Sequence, residues 1–389
     1  MAVCRNVSRM LVLFSLVTCS VGQDVPQRPN NIASMPPMEV SLNEASAAEV
    51  PSLPAESIGP PLLCGPDGRI LFRLATPEAG VEDPVSVSKD GKTVIRFGRE
   101  KINDIPRPLL LSIFLLGTDV YIITTGSTPL GYDTKWRTPT GKAVSQPVSK
   151  SGTFIAHFEG NGNYAGAVRL DLPFKPQRLG VFENGDFLVS GAEPSTDEPR
   201  VAIVASNGQL RRLVELKGDV HAQEESGPPG KSKDPTALPR FRPAPGRPPQ
   251  SSMTETLSGV VSASQIARDG PNLLLFRPIN GPVFSISPSG EVRIRKLKVE
   301  GSYRLYTIKA AGNSWIVEFL HDVPHSAAVE LSTYAFDPDS GAPLREYFFP
   351  TDLGWGLACT DGDEFTFVIA NQKTNTLKLV TLAPAAKPN

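Results

Sequence analysis

Four histidines, His157, His221, His321 and His325, are the side chains of this sequence best suited to proton transfer or metal ligation near neutral pH. His321 and His325 stand four residues apart with Asp322 between them, a spacing that would put two imidazoles on one face of a helix and suit a metal. Pro324 and the flanking β-rich runs place the pair on a hairpin loop instead, where the rings need not share a face. A Ser-His-acid hydrolase would be favoured by a GxSxG turn, and the sequence has none. His157 falls in the alternating run TFIAHFE and reads as a packed or surface side chain rather than a base. Gly160-Asn161-Gly162-Asn163 lacks the Lys and the strand-to-helix context of a phosphate-binding loop and reads as a hairpin turn.

The cysteines carry a different chemistry. Residues 1–22 have the form of a secretory signal, with Arg5 and Arg9 ahead of the short apolar run Met10 to Val17 and small residues, Ser20 and Gly22, before Gln23. Leu16-Val17-Thr18-Cys19 also resembles the bacterial lipobox, with Thr where Gly, Ala or Ser is usual. If Cys19 is lipidated, the protein is tethered to a membrane and the stretch that follows is its stalk. Either route leaves Cys64 and Cys359 as the cysteines of the body. In an exported chain, that pair suggests a disulfide between the two ends of the fold, with two buried thiols as the alternative. Closing so long a loop removes unfolded-state entropy worth on the order of 4–5 kcal/mol in the chain model.

The 39 basic and 40 acidic residues give a net charge of −1, so no global field collects nucleic acid or an anionic membrane. Pro and Gly, 38 and 33 of 389 residues, are enriched but fall short of a low-complexity composition. The absence of a Gly-X-Y period, of heptads and of an internal apolar stretch of membrane-spanning length excludes a collagen, a coiled coil and a polytopic membrane protein.

The elements that must position these residues are short β-rich runs punctuated by turn dipeptides. Asp67-Gly68, Asp90-Gly91, Ser151-Gly152, Asn184-Gly185, Asn207-Gly208, Asp269-Gly270, Ser289-Gly290, Ser340-Gly341 and Asp361-Gly362 each separate apolar segments, the signature of two-residue hairpin turns. Aligned on these turns, four-strand units read clearly at 178–216, 263–299 and 304–349, with an earlier copy at 84–127 and a degraded one at 144–172. The last unit, from Trp355, runs out after three strands, and a strand at Arg69 to Leu74 is free to complete it from the opposite terminus. The expectation is an all-β, six-bladed β-propeller over residues 62–382, closed by an N-terminal strand, with Cys64 and Cys359 in the same composite blade. Two stacked sandwiches are the alternative. Residues 23–61, with eight prolines, read as a disordered tail, residues 217–260 as a Pro-rich disordered insertion with a basic character, and residues 383–389 as a C-terminal tail.

At ENGDFLVSG followed by VAIVASNGQLRRLVEL, the blade pattern resembles six-bladed propellers of the NHL-repeat and TolB-like kind. Some propellers similar to these are calcium-dependent lactonases that hold the metal at one end of the channel with carboxylate and amide side chains. The entries of the inner strands fall near Asp83, Gln146, Gln177, Gln265, Tyr303 and Trp355. Only one of these is a carboxylate, whereas a hard cation normally takes two or more. The resulting expectation is a secreted, periplasmic or cell-surface monomer acting as a non-catalytic binding scaffold. Its protein or small-molecule ligand sits at the propeller face, and no catalytic, cofactor-binding or metal-ligating residue is assigned. A metal-dependent lactonase-like hydrolase using the central channel is the alternative.

Overall fold

The computed structural model describes residues 37–54, 58–76, 81–137, 140, 143–196, 199–216, 265–276, 282–299, 304–322, 329–349, 356–371, 374 and 376–384. Among these the chain is built of strands, with one short helical turn at Arg99–Lys101. The first strand, β1, spans Met38–Pro54. One four-stranded antiparallel sheet follows, from β2 (Ile58–Cys64), β3 (Ile70–Thr76), β4 (Val81–Val87) and β5 (Val94–Arg96). A second contains β6 (Leu109–Leu116), β7 (Asp119–Arg137), β8 (Ala143–Phe158) and β9 (Tyr164–Leu170). The third holds β10 (Lys175–Val181), β11 (Phe187–Ala192), β12 (Pro199–Val204) and β13 (Leu210–Leu213). The fourth holds β14 (Gln265–Asp269), β15 (Asn272–Phe276), β16 (Val283–Ile286) and β17 (Val292–Arg295). The remaining strands are β18 (Arg304–Ala311), β19 (Ser314–Asp322), β20 (Val329–Phe336), β21 (Pro343–Phe348), β22 (Leu357–Asp361), β23 (Glu364–Asn371) and β24 (Thr376–Pro384). They form one eight-stranded sheet in the order β18-β19-β20-β21-β1-β24-β23-β22. It consists of two four-stranded halves joined through β1, which pairs in parallel with β21 from Met38 to Ser41 and then antiparallel with β24 from Leu42 to Pro54.

Glycine decides the turns in two ways. Gly117, Gly270, Gly312 and Gly362 take positive φ at the first position of two-residue loops, where an L side chain would be strained. At Asn184-Gly185 and Asn207-Gly208 the loop is longer. The backbone N–H of Phe182 bonds to Asp186 O at 2.9 Å and that of Gly185 to Phe182 O at 3.0 Å, so a glycine of φ 82° ends a three-residue loop. The Asn184 side chain accepts from the Asp186 N–H at 3.1 Å, and Asn207 does the same for Gln209 at 3.1 Å, which is why Asn precedes the Gly. Ser151-Gly152 departs from the expectation: Gly152 lies inside β8, paired with Gly126. A Cβ at Gly152 would stand 3.0 Å from the Phe154 ring, so packing rather than a turn selects glycine there.

Both faces of the middle strands are buried, which explains their continuous apolar runs. Leu71 of β3 packs with Ile113 and Leu115 of β6, whereas its neighbours Ile70 and Phe72 pack with Val368 and Leu379 of the last sheet. The other clusters likewise lie between successive sheets: Val189 of β11 with Leu273 and Leu275 of β15, Leu274 and Phe276 with Val317 and Phe319 of β19, and Ile316 with Phe365 and Phe367 of β23. The first strands touch in cyclic order, β2 with β6, β6 with β10, β10 with β14, β14 with β18, β18 with β22, and β22 with β2. The arrangement is propeller-like.

Several boundaries differ from those read in the sequence. Residues 178–216, 263–299 and 304–349 correspond to β10–β13, β14–β17 and β18–β21. The copies at 84–127 and 144–172 are out of frame by two strands, because β4 and β5 belong with β2 and β3, while β6 and β7 belong with β8 and β9. Arg69 to Leu74, expected to complete the last unit, lies largely in β3 of the first sheet. The strand that pairs with β24 is β1, inside the stretch 23–61 read as a tail. It becomes ordered because Leu42, Val50 and Leu53 are each at most 3% exposed in the clusters on either side of it. Cys64 and Cys359 accordingly sit in neighbouring sheets, at the end of β2 and in β22, rather than in one sheet. Their Sγ atoms are at bonding distance, 2.07 Å, with Cα atoms 5.1 Å apart.

Candidate functional site

Residues of β2, β14, β15, β18 and β22 line a cavity of about 50 Å³. Its wall includes Leu62 of β2, Gln265 of β14, Tyr306, Thr307 and Lys309 of β18, and Leu357 of β22. Gln265 Nε2 donates to Tyr306 O at 3.1 Å, tying β14 to β18. Lys309 Nζ donates to Leu62 O at 2.8 Å and so reaches from β18 to β2, past β22. Tyr306 is the extra residue of a bulge between the pairs Leu305↔Phe319 and Thr307↔Glu318. This bulge sets the register so that Thr307 and Lys309 share a face with Glu318 of the next strand.

Glu318 is the exceptional residue of that face. It is fully buried, and neither carboxylate oxygen has a hydrogen-bond partner. Directly opposite it on β20 is Thr333, also fully buried, whose Oγ1 has no partner either. Burial pushes the Glu318 carboxyl up to about 8, with the attraction of Lys309 opposing the rise. Burial lowers the Lys309 ammonium, opposed by Glu318, and raises the Tyr306 phenol, which Glu318 raises further. The linked stability has a definite sign. Between the unfolded carboxyl value near 4.5 and the folded value near 8, the folded state holds the extra proton, so stability falls as pH rises. Lys309 acts in the opposite sense at higher pH, where the unfolded chain holds its proton longer. The expected result is that Glu318→Gln flattens the decline between pH 5 and pH 8. That decline should be on the order of 2–4 kcal/mol in the native chain, and urea midpoints at pH 5 and pH 8 check it.

Among the described residues, those expected at the inner-strand entries lie on four different strands. Gln265 lines the cavity. Gln177 lies at a bulge in β10, with its Oε1 buried and without a hydrogen-bond partner. Asp83 is on the third strand of its sheet, beside Arg99 at 3.4 Å, and burial raises its carboxyl despite that cation. Gln146 pairs with Asp133 in β8, away from the first strand. Tyr303 and Trp355 lie outside the described residues. Among the described residues no group of three or more His, Cys, Asp or Glu is placed to hold a metal ion. His157 Nε2 is 3.0 Å from Asp119 Oδ2, its ring stacks on Tyr121 with centroids 4.5 Å apart, and Asp119 also accepts from the Gly160 N–H at 3.1 Å. That arrangement clamps the β8–β9 turn to the β6–β7 turn. His321 pairs with Glu330 in register at the end of β19. Residues 323–328, with His325, lie outside the described residues, as do His221 and the insertion 217–260. Lys309 and Glu318 were not singled out by sequence reasoning. The available signal was a lone carboxylate in the apolar run SWIVEFL, five residues beyond the turn at Gly312-Asn313.

No family model and no curated relative matches the chain. Among solved structures it is similar to virginiamycin B lyase from Staphylococcus aureus, with 11% identity over 88% of this chain and 100% of that one and a TM-score of 0.38. It is similar to YCF48 bound to D1 peptide, with 10% identity over 89% of this chain and 98% of that one and a TM-score of 0.40. A protein of unknown function from Bacteroides caccae gives 12% identity over 74% and 80% of the two chains and a TM-score of 0.40.

Proposed function

We propose that the chain is an exported six-bladed β-propeller whose last blade is completed by β1, and that it acts as a non-catalytic binding scaffold. Its ligand, a protein or a small molecule, is held by the loops at one face. The observation that carries this reading is the wall of the cavity lined by β2, β14, β15, β18 and β22. A space of about 50 Å³ holds a few waters, and the polar groups on its wall are an amide, a phenol, a hydroxyl and an amine. A lysine there disfavours a hard divalent cation, which is drawn to several carboxylate oxygens. Recognition is therefore assigned to the rim, where loops rather than regular strands supply the variable side chains. The leader at residues 1–22 supports export, and the mass of the mature N-terminal peptide separates cleavage before Gln23 from lipidation at Cys19.

A calcium titration followed by thermal unfolding tests the reading against a lactonase-like hydrolase. A site that binds the folded state stabilises it in proportion to the logarithm of free ligand over its dissociation constant. The expected result is a melting temperature unchanged between millimolar calcium and excess chelator, with no lactone hydrolysis in either. A rise of several degrees with calcium, accompanied by calcium-dependent hydrolysis, would replace the scaffold with the enzyme.

A further inference from the structure

We propose that Lys309 is a covalent capture site for a small aldehyde, forming an imine inside the cavity among the first strands, with Glu318 as the proton donor that completes the step. The site stands on local geometry and does not depend on the scaffold reading. Lys309 is half-buried and lines the cavity, its Nζ held by Leu62 O at 2.8 Å. That bond uses one of the three ammonium hydrogens, and in the neutral amine one of the two N–H groups, leaving the lone pair for attack. Leu62, Ile266, Ile308 and Leu357 supply an apolar part of the wall, beside Gln265, Tyr306 and Thr307, and a desolvated amine is the ordinary way a lysine becomes a nucleophile.

Glu318 supplies the second half of the chemistry. It lies one register row from Lys309 on the same face, a diagonal separation on the order of 7 Å that long side chains bridge. It is fully buried and its oxygens accept no hydrogen bond, which favours the protonated carboxyl, a donor. The amine nitrogen adds to the aldehyde carbon to give a carbinolamine. The C–O bond then breaks as the carboxyl delivers its proton to the leaving oxygen, which departs as water, and the C=N bond forms. The nitrogen loses its two hydrogens to the carboxylate and to that water, so the sum is aldehyde plus amine giving imine plus water, with no oxidant or reductant. The size of the cavity limits the carbonyl to the smallest aldehydes.

The native full-length chain and formaldehyde are sufficient for the test. With limiting deuterated formaldehyde and cyanoborohydride, the imine is trapped as a methylamine and read by peptide mass spectrometry. Lys92, whose side chain is 84% exposed, serves as the internal reference. At pH 7 the expected label at Lys309 exceeds that at Lys92 roughly tenfold, because a far larger fraction of it is the free amine. Its rate should level off near pH 8. Lys309→Met removes the labelled peptide and fixes the assignment. Equal labelling of the two lysines at pH 7, or none at Lys309, overturns the proposal.

Discussion

Removing β1, by beginning the chain at residue 56, is expected to abolish cooperative folding. Leu42, Val50 and Leu53 are at most 3% exposed, and at about 1.5–3 kcal/mol for each buried aliphatic side chain their loss removes roughly 5–9 kcal/mol. The whole stability of an ordinary domain is only about 5–15 kcal/mol. The deletion also strips β24 of a partner with which it pairs from Leu42↔Pro384 to Pro54↔Thr376, leaving an apolar edge strand that templates aggregation. A gentler variant keeps the chain length. Val50→Asp places a charge in the cluster of Phe72, Val85 and Leu377, at a cost of about 3–5 kcal/mol. Both are measured by urea unfolding followed by far-UV circular dichroism. A truncated chain with the native midpoint would mean that β1 is an appendage.

The second large effect belongs to the cysteine pair. Cys64 and Cys359 are separated by 295 positions, and the chain-entropy model assigns a loop of that size up to about 5 kcal/mol. The bond also ties β2 to β22, the strands whose contact joins the first sheet to the last. Cys64→Ser with Cys359→Ser should therefore lower the urea midpoint by a third or more, and the unreduced protein should show no free thiol from this pair. Two reactive thiols, or a midpoint unmoved by the double substitution, would remove the disulfide from the account. Because β1 packs in the same cluster as Cys359, Val50→Asp and the double serine substitution should not be additive.

The sequence was legible wherever a turn residue has a single job. Asn184-Gly185 and Asn207-Gly208 mark turns of the third unit, and Asp269-Gly270, Ser289-Gly290 and Ser340-Gly341 mark turns of the fourth and fifth. The frame failed between residues 84 and 172 because Asp90-Gly91 marks a hairpin without saying which hairpins share a sheet, and Gly152 is a packing glycine rather than a turn. β1 was illegible for another reason. MEVSLNEASAAEVPSLP contains two prolines and few β-branched residues, the composition of a solvated linker. As the terminal strand of the half-sheet formed with β22–β24 it tolerates prolines that a central strand would not, and three apolar side chains anchor it. The site was less legible than the fold. Glu318 stands in a run whose both faces are buried, so alternation could not tell that it faces Lys309 rather than solvent. The bulge at Tyr306, which brings the two onto one face, has no signature in the sequence.

β1 pairs with β24, and a cross-link in that register tests the proposed closure of the last blade most directly. Glu49 is opposite Lys378, at a cross-strand spacing within reach of a disulfide. Glu49→Cys with Lys378→Cys, oxidised at low protein concentration, should give an intramolecular bond between these two positions in nearly every molecule, alongside an intact Cys64–Cys359 pair. Free thiols at both engineered positions in a folded, monomeric protein would contradict closure by β1.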